Sequence, residues 1–244
     1  MPKKRRHRRR TVWIVRTALG VGGVLIVGLL GLWLALERVP GWYAPLEVAQ
    51  AELPRVRNSL PNTYQSLNDA ALADEPFDFS ISDRTVTEWV VARGELYPEA
   101  RTWLPDWLRD PVVHFEDGRC VVGARIDYRG WQTILGIHLE FAVADDFVTA
   151  RVDKLTAGAV AIPLSRLAGP LADLLDERRV DVSLMPDPVA DVVRRLRAEG
   201  VEHLIEEGVR WPNRFELRNA RRVVKVRSIT CADGMLTARV EPRR

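Results

Sequence analysis

Twenty consecutive residues of this chain, Thr17 to Leu36 (TALGVGGVLIVGLLGLWLAL), carry no charge. At a rise of about 1.5 Å per residue a helix of that length reaches about 30 Å, the thickness of a bilayer's hydrocarbon core. Seven Lys or Arg lie between Lys3 and Arg10, and Arg16 adds an eighth at the start of the run. Basic residues are retained on the cytoplasmic side of a membrane. The expected topology is therefore a basic cytoplasmic tail over residues 1–16, a transmembrane helix over 17–36, and the bulk of the chain outside. Trp13 and Trp33 fall where the two interfacial aromatic belts would sit, with Trp42 just beyond. A cleaved signal peptide fits less well. Its apolar core is usually about 7 to 15 residues and ends in a small-x-small site, whereas this run ends in Leu34-Ala35-Leu36-Glu37.

The positive charge is concentrated at one end. Eight of the 36 basic residues precede Thr17, leaving 28 against 33 acidic ones, a net of −5. A mildly acidic outer domain has no global attraction to nucleic acid, so no nucleic-acid partner is expected. Roughly 200 residues follow the apolar run, enough for a real core. The two cysteines, Cys120 and Cys231, do not make a disulfide scaffold. An oxidising compartment would permit them to pair; otherwise they behave as small buried hydrophobes.

Residues 37–76 contain prolines at 40, 45, 54, 61 and 76. Proline removes a donor and restricts its neighbour, which predicts a stalk with short helical pieces at Val48 to Val56 and Leu67 to Leu72. Residues 77–244 then read as one extracytoplasmic α+β domain. FDFSIS, residues 77–82, alternates as a strand. Ser82 or Asp83 caps a helix running to about Leu96, its buried face expected at Val86, Trp89 and Val90. Trp103 and Trp107 are expected in the core.

Val112 to Phe115, Asp117-Gly118 and Arg119 to Tyr128 predict a hairpin, because Asp-Gly supplies the positive φ that tight turns demand. Ile137, Leu139, Phe141 and Val143 alternate with polar residues, and Asp145-Asp146 turns the chain into Val148, Ala150 and Val152. This is an antiparallel β-meander, a curved sheet with one greasy and one wet face. Amphipathic helices from Pro163 through Leu175, at Val189 to Leu196 and at Val201 to Ile205 are expected to pack on it. Strands at 214–218, 222–231 and 235–240 complete the chain, with Asp233-Gly234 as a second tight turn whose company resembles that of the first.

The order of anchor, FDFSISDRTVTEWVV, the hairpin FEDGRCVVGARI and GAVAIPLSRLAGPLADLL is similar to the YpmS-like family of single-pass bacterial membrane proteins, over residues 11 to about 180. In that family a strand pair precedes a G-x-x-x-x-P segment that opens a helix, here Gly158 through Pro163. The early helix there commonly carries an Asn where this chain has Thr87 or a neighbour. The resemblance implies an extracytoplasmic α+β domain beside the inner (cytoplasmic) membrane and no particular reaction.

No nucleophile elbow, phosphate loop, dinucleotide fingerprint or zinc-spaced His or Cys set occurs, so no catalytic residue, cofactor or metal site is expected. His138 with Glu140 is the nearest approach to an acid–base pair, since i and i+2 share a strand face; an exposed polar face is the plainer reading. Two binding surfaces remain. An apolar groove over Ile137, Leu139, Phe141 and Val143 would take an acyl chain, and the same stripe serves equally as core. Arg218, Arg221, Arg222, Lys225 and Arg227 would meet anionic lipid headgroups or a polyanionic polymer, or pair with the acidic remainder. The expected function is a non-enzymatic, membrane-anchored envelope protein whose domain is an interaction or structural module, with an envelope protein or lipid as partner. Lipid handling by the groove, and an enzyme with a site assembled from distant segments, are the alternatives.

Overall fold

A computed structural model of the protein describes residues 25–102, 107–128, 131–163, 207–217 and 221–243. The basic tail, the first part of the uncharged run, Trp103, Arg218 and the amphipathic helices expected after Pro163 lie outside the described residues. Residues 25–37 form a helix, α1, the described part of that run. Among the described residues no helix is long and apolar enough to cross a membrane.

The fold is α+β with two antiparallel sheets. One, sheet B, runs in the order β2 (Leu108–Glu116), β3 (Arg119–Tyr128), β4 (Trp131–Val143), β5 (Phe147–Ala157) and β6 (Val160–Ile162), with β7 (Val209–Pro212) also on β5. The other, sheet A, runs β1 (Phe77–Ser82), β10 (Met235–Arg243), β9 (Arg222–Ala232) and β8 (Phe215–Leu217). The meander expected from alternation is there strand for strand. Alternation says nothing about long-range partners, and the first strand lies beside the last, Phe77 opposite Val240 and Ser82 opposite Met235.

The sheets are joined at two places. At one end the two Asp-Gly turns exchange hydrogen bonds: the Gly118 amide donates to the Cys231 carbonyl at 2.7 Å and the Gly234 amide to the Phe115 carbonyl at 3.0 Å. Phe115 and Cys231 each stand three residues before their glycine, so the similar company of the two turns is a matched pair of contacts. Asp233 and Gly234 both have positive φ, as a mirror-image turn requires; in the first turn Gly118 alone does. Between the turns lies an apolar layer of Phe115, Cys120 and Cys231 with Ile81, Val86, Val113, Val122, Leu139, Phe141 and Leu236.

The second junction is Asn213, 1% exposed. Its side-chain amide donates to the carbonyls of Ala144 (2.8 Å) and Val226 (2.9 Å) and its oxygen accepts from the Val226 amide (2.8 Å). One buried side chain thus satisfies backbone groups from both sheets.

The prolines of residues 37–76 do not break the chain into short pieces. Helix α2 runs unbroken from Leu53 to Leu72. Pro54 sits in its first turn, where no amide donor is needed. Pro61 removes the bond to the Arg57 carbonyl, but positions 57 and 61 are both exposed and water reaches the freed oxygen. Burial holds the rest: Val56 packs with Ala92 and Leu96, and Ala71 with Leu217, Val224 and Val240. The segment is thus part of the folded domain, not a separate stalk.

Helix α3 (Asp83–Leu96) starts as the sequence predicts, the Ser82 hydroxyl accepting from the Thr85 amide at 3.1 Å. Its buried positions, however, are Thr87, Glu88, Ala92 and Leu96, while Trp89 and Val90 are only half-buried. Tertiary partners override the apolar pattern. Glu88 accepts from Arg55 (2.9 and 3.0 Å) and Arg84 (2.9 Å), tying α3 to α2, and the Arg55 hydrogen bond is the main cause holding its carboxyl below the ordinary range. Thr87 closes the edge of sheet B. Its hydroxyl donates to the Val113 carbonyl at 3.0 Å and accepts from the Val113 amide at 2.9 Å, replacing the neighbour strand β2 lacks.

Replacing Thr87 by Val keeps shape and removes both bonds. We expect Thr87→Val to lower the unfolding free energy by about 2 kcal/mol, with Thr87→Ser near wild type. Urea denaturation of the detergent-solubilised chain checks this; a Val variant equal to wild type would contradict it.

Candidate functional site beneath Trp42

The chain leaves α1 directly onto sheet B. A helix ends with four unpaired carbonyls, and two of these are met by the sheet: the Ala159 amide donates to the Ala35 carbonyl at 2.8 Å and the Thr133 hydroxyl to the Leu36 carbonyl at 2.7 Å. Gly158, φ +56°, makes the approach possible, since a Cβ there would lie 2.3 Å from the Leu36 oxygen. The apolar helix therefore ends seated on the β5–β6 turn and the start of β4.

Six residues on, Trp42 lies across the sheet. Gly123 and Gly136 are cross-strand partners, and a Cβ on either would meet the indole at 2.3 and 2.8 Å. The paired glycines form a slot that the ring fills. Tyr43 follows, 6% exposed, packed with Val112 and Ile134, its hydroxyl donating to the Asp110 carbonyl at 2.8 Å. Trp42, just beyond the expected belts, thus packs partly buried on the face of sheet B.

Beyond the indole the same sheet face turns polar. His138 stands edge-on to Trp42, ring centroids 6.3 Å apart. It is 6% exposed, and neither ring nitrogen has a hydrogen-bond partner among the described residues. Burial first, and then the positive charge of Lys154, push its pKa below the ordinary value, so the folded state holds it neutral. Its nearest carboxylate is Glu116 at 3.9 Å. Glu116 also lies 4.0 Å from the Nε2 of His114, whose Nδ1 is 3.0 Å from Asp83 at the start of α3. The four groups run in a line over β2 and β4. Among the described residues no three His, Cys, Asp or Glu are placed to hold a metal ion.

The sequence pairs His138 with Glu140, and the structure separates their roles. Glu140 accepts from Arg151 at 3.1 Å and lies 3.8 Å from Arg119. His138 is buried where the alternation suggests an exposed face, because a tryptophan from outside the sheet covers it. An open cleft of about 760 Å³ lies nearby, lined by Glu140, Phe141, Ala142, Thr149, Arg151, Glu207 and Arg210.

The apolar stripe proposed as a groove lies mainly in packing. Leu139 and Phe141 contact the layer between the sheets, Phe141 also touching the cleft, while Ile137 and Val143 are half-buried. The basic cluster is engaged with carboxylates. Lys225 is buried and donates to Asp145 at 2.8 Å, Arg227 pairs with Glu241 and Asp145, and Arg222 lies 3.7 Å from Asp74. Arg221 is exposed, with φ +50°. The site residues that sequence reasoning missed are Trp42, Gly123, Gly136 and Gly158. For Gly123 and Gly136 the signal was a glycine inside a strand pattern, which marks a close approach without saying of what.

No family model, curated protein or solved structure matches the chain.

The pH dependence of His138 follows from its depressed pKa. The unfolded chain takes up a proton near 6.5, while the folded state resists it. Its contribution is complete above that value and lost as the pH falls through the folded pKa. The urea midpoint should fall more between pH 7.5 and 5 for the wild-type chain than for His138→Leu. Glu88, Asp145 and Glu241 have lowered values and titrate beneath this window. Equal declines would contradict the assignment.

Proposed function

We propose that the protein is a single-pass membrane protein of the cell envelope, anchored by residues 17–36 with its N-terminus in the cytoplasm. Its α+β domain is a non-enzymatic structural or interaction module held rigidly at the outer membrane surface. The observation that carries this reading is α1. Leu25, Ile26, Val27, Leu29, Leu30, Leu32, Trp33 and Leu34 are all exposed, Val27 by 70% and Ile26 by 68%, and they surround the helix rather than line one face. An apolar surface of that kind is stable in a hydrocarbon solvent and not in water. Two of the carbonyls at the C-terminal end of α1 find donors on sheet B.

The docking gives the anchor a second role. A flexible linker would let the domain wander; the bonds from Ala159 and Thr133 to the helix end, followed by Trp42, fix its orientation to the helix. Such a domain presents a constant surface at a constant height, which suits a scaffold or a docking partner in the envelope.

The full chain should stay with membranes through alkaline extraction, and an exposed position on α2, Asp69→Cys, should react with an impermeant maleimide in intact cells. Recovery of the mature chain in the aqueous fraction, or labelling only after lysis, would overturn the reading.

A further inference from the structure

The geometry points to a disulfide between Cys120 and Cys231, a covalent site that staples the two sheets where their turns meet. This inference rests on the location proposed above, because the bond requires an oxidising compartment. Cys120 follows Gly118 by two residues, and the Gly118 amide is bonded to the carbonyl of Cys231 itself at 2.7 Å. The reciprocal bond from Gly234 to Phe115 prevents the two turns from sliding apart.

Both side chains enter the same layer. Cys120 pairs across its strands with Phe115 and Leu139, and Cys231 with Leu236; all five side chains are in the one cluster between the sheets. Two buried free thiols on facing strand ends, one from each sheet, thus share one apolar layer, where a disulfide closes once their Cβ atoms come within about 4.5 Å. The thiols also sense one another: burial, and then the charge of Cys231, push Cys120 up to about 12. A loop from residue 120 to residue 231 spans nearly half the chain, the case in which a cross-link restricts the unfolded state most.

The same burial dictates when the bond forms. Exchange needs a thiolate, and neither thiol is exposed or ionised once the sheets close, Cys120 being 6% and Cys231 2% exposed. Pairing therefore belongs to folding. One cysteine thiolate attacks the disulfide of an oxidised dithiol catalyst and forms a mixed disulfide; the second displaces the catalyst. Two S–H bonds are lost and one S–S bond is made. The two electrons and two protons leave on the catalyst as its reduced dithiol. The product is a structural cross-link, closed to later exchange, and not a switch.

The test uses the full chain in its own membrane. Thiols are trapped by acid, the chain is unfolded and treated with N-ethylmaleimide, and its mass is read with and without prior reduction. The expected result is no label before reduction, a mass about 2 Da below that of the dithiol form, two labels after reduction, and a peptide linking residues 120 and 231. Reduction should also lower the thermal midpoint by about 5–15 °C. In parallel, Asp69→Cys reports whether the domain is reached from outside. Two labels before reduction on a domain that the impermeant reagent reaches would overturn the disulfide and leave the location standing. Two labels on a domain it does not reach would overturn both.

Discussion

The seating of the apolar helix on sheet B is the constraint from which the other features follow. A helix end leaves carbonyls that must find donors, and here they are supplied by residues more than ninety positions away. Thr133 and Ala159 can serve only if the β3–β4 and β5–β6 hairpins are already formed. Trp42 has its slot only if Gly123 and Gly136 are in register. The helix and the domain are therefore one cooperative unit. A Cβ at Gly158, Gly136 or Gly123 would collide with that unit at 2.3 to 2.8 Å, so three glycines in otherwise ordinary strands and turns are fixed by a tertiary contact.

The two sheets answer a different demand. Sheet A and sheet B each carry one greasy face, and stacking the faces leaves the ends to be secured. The turn exchange and Asn213 secure the stack, both at the end of sheet B that carries the β2–β3 and β4–β5 turns. Polar groups perform this in the interior because each is fully satisfied: Asn213 uses both its donor and acceptor sides, and Thr87 meets both backbone groups of Val113. His138 is different, as are Asn68 Oδ1 and Arg93 Nε, buried without a hydrogen-bond partner among the described residues. Both ring nitrogens of His138 lie unpartnered under Trp42, and burial keeps its pKa below the ordinary value.

Much of this was legible in the sequence where local chemistry decides. The strands of the meander, the Ser82 cap and the two Asp-Gly turns follow from alternation, capping and positive φ. The apolar run is equally plain. What could not be read depends on partners distant in the chain. Pro61 predicts a break, yet Val56 and Ala71 bury α2 as one helix and leave the lost bond on its wet side. Val86, Trp89 and Val90 look like the buried face of α3, but Glu88 and Thr87 take it, because two arginines and a strand edge wait there. His138 reads as exposed until a tryptophan from the segment between α1 and α2 covers it. The basic residues of β9 read as a surface for anions, yet Lys225 is spent on Asp145 across the sheet junction. Stripe and cluster alike had two readings, and the packing of Leu139 and Phe141 supports the structural one.

The seating can be measured at a single amide. The Ala159 N–H lies at a turn, where a free amide exchanges with solvent quickly, and its partner is the Ala35 carbonyl at 2.8 Å. Hydrogen–deuterium exchange of the full chain in nanodiscs should show Ala159 protected to the level of neighbouring ladder amides on β4 and β5. Exchange of Ala159 at the rate of an unstructured peptide, with those ladder amides still protected, would show a domain tethered to its helix and not docked on it.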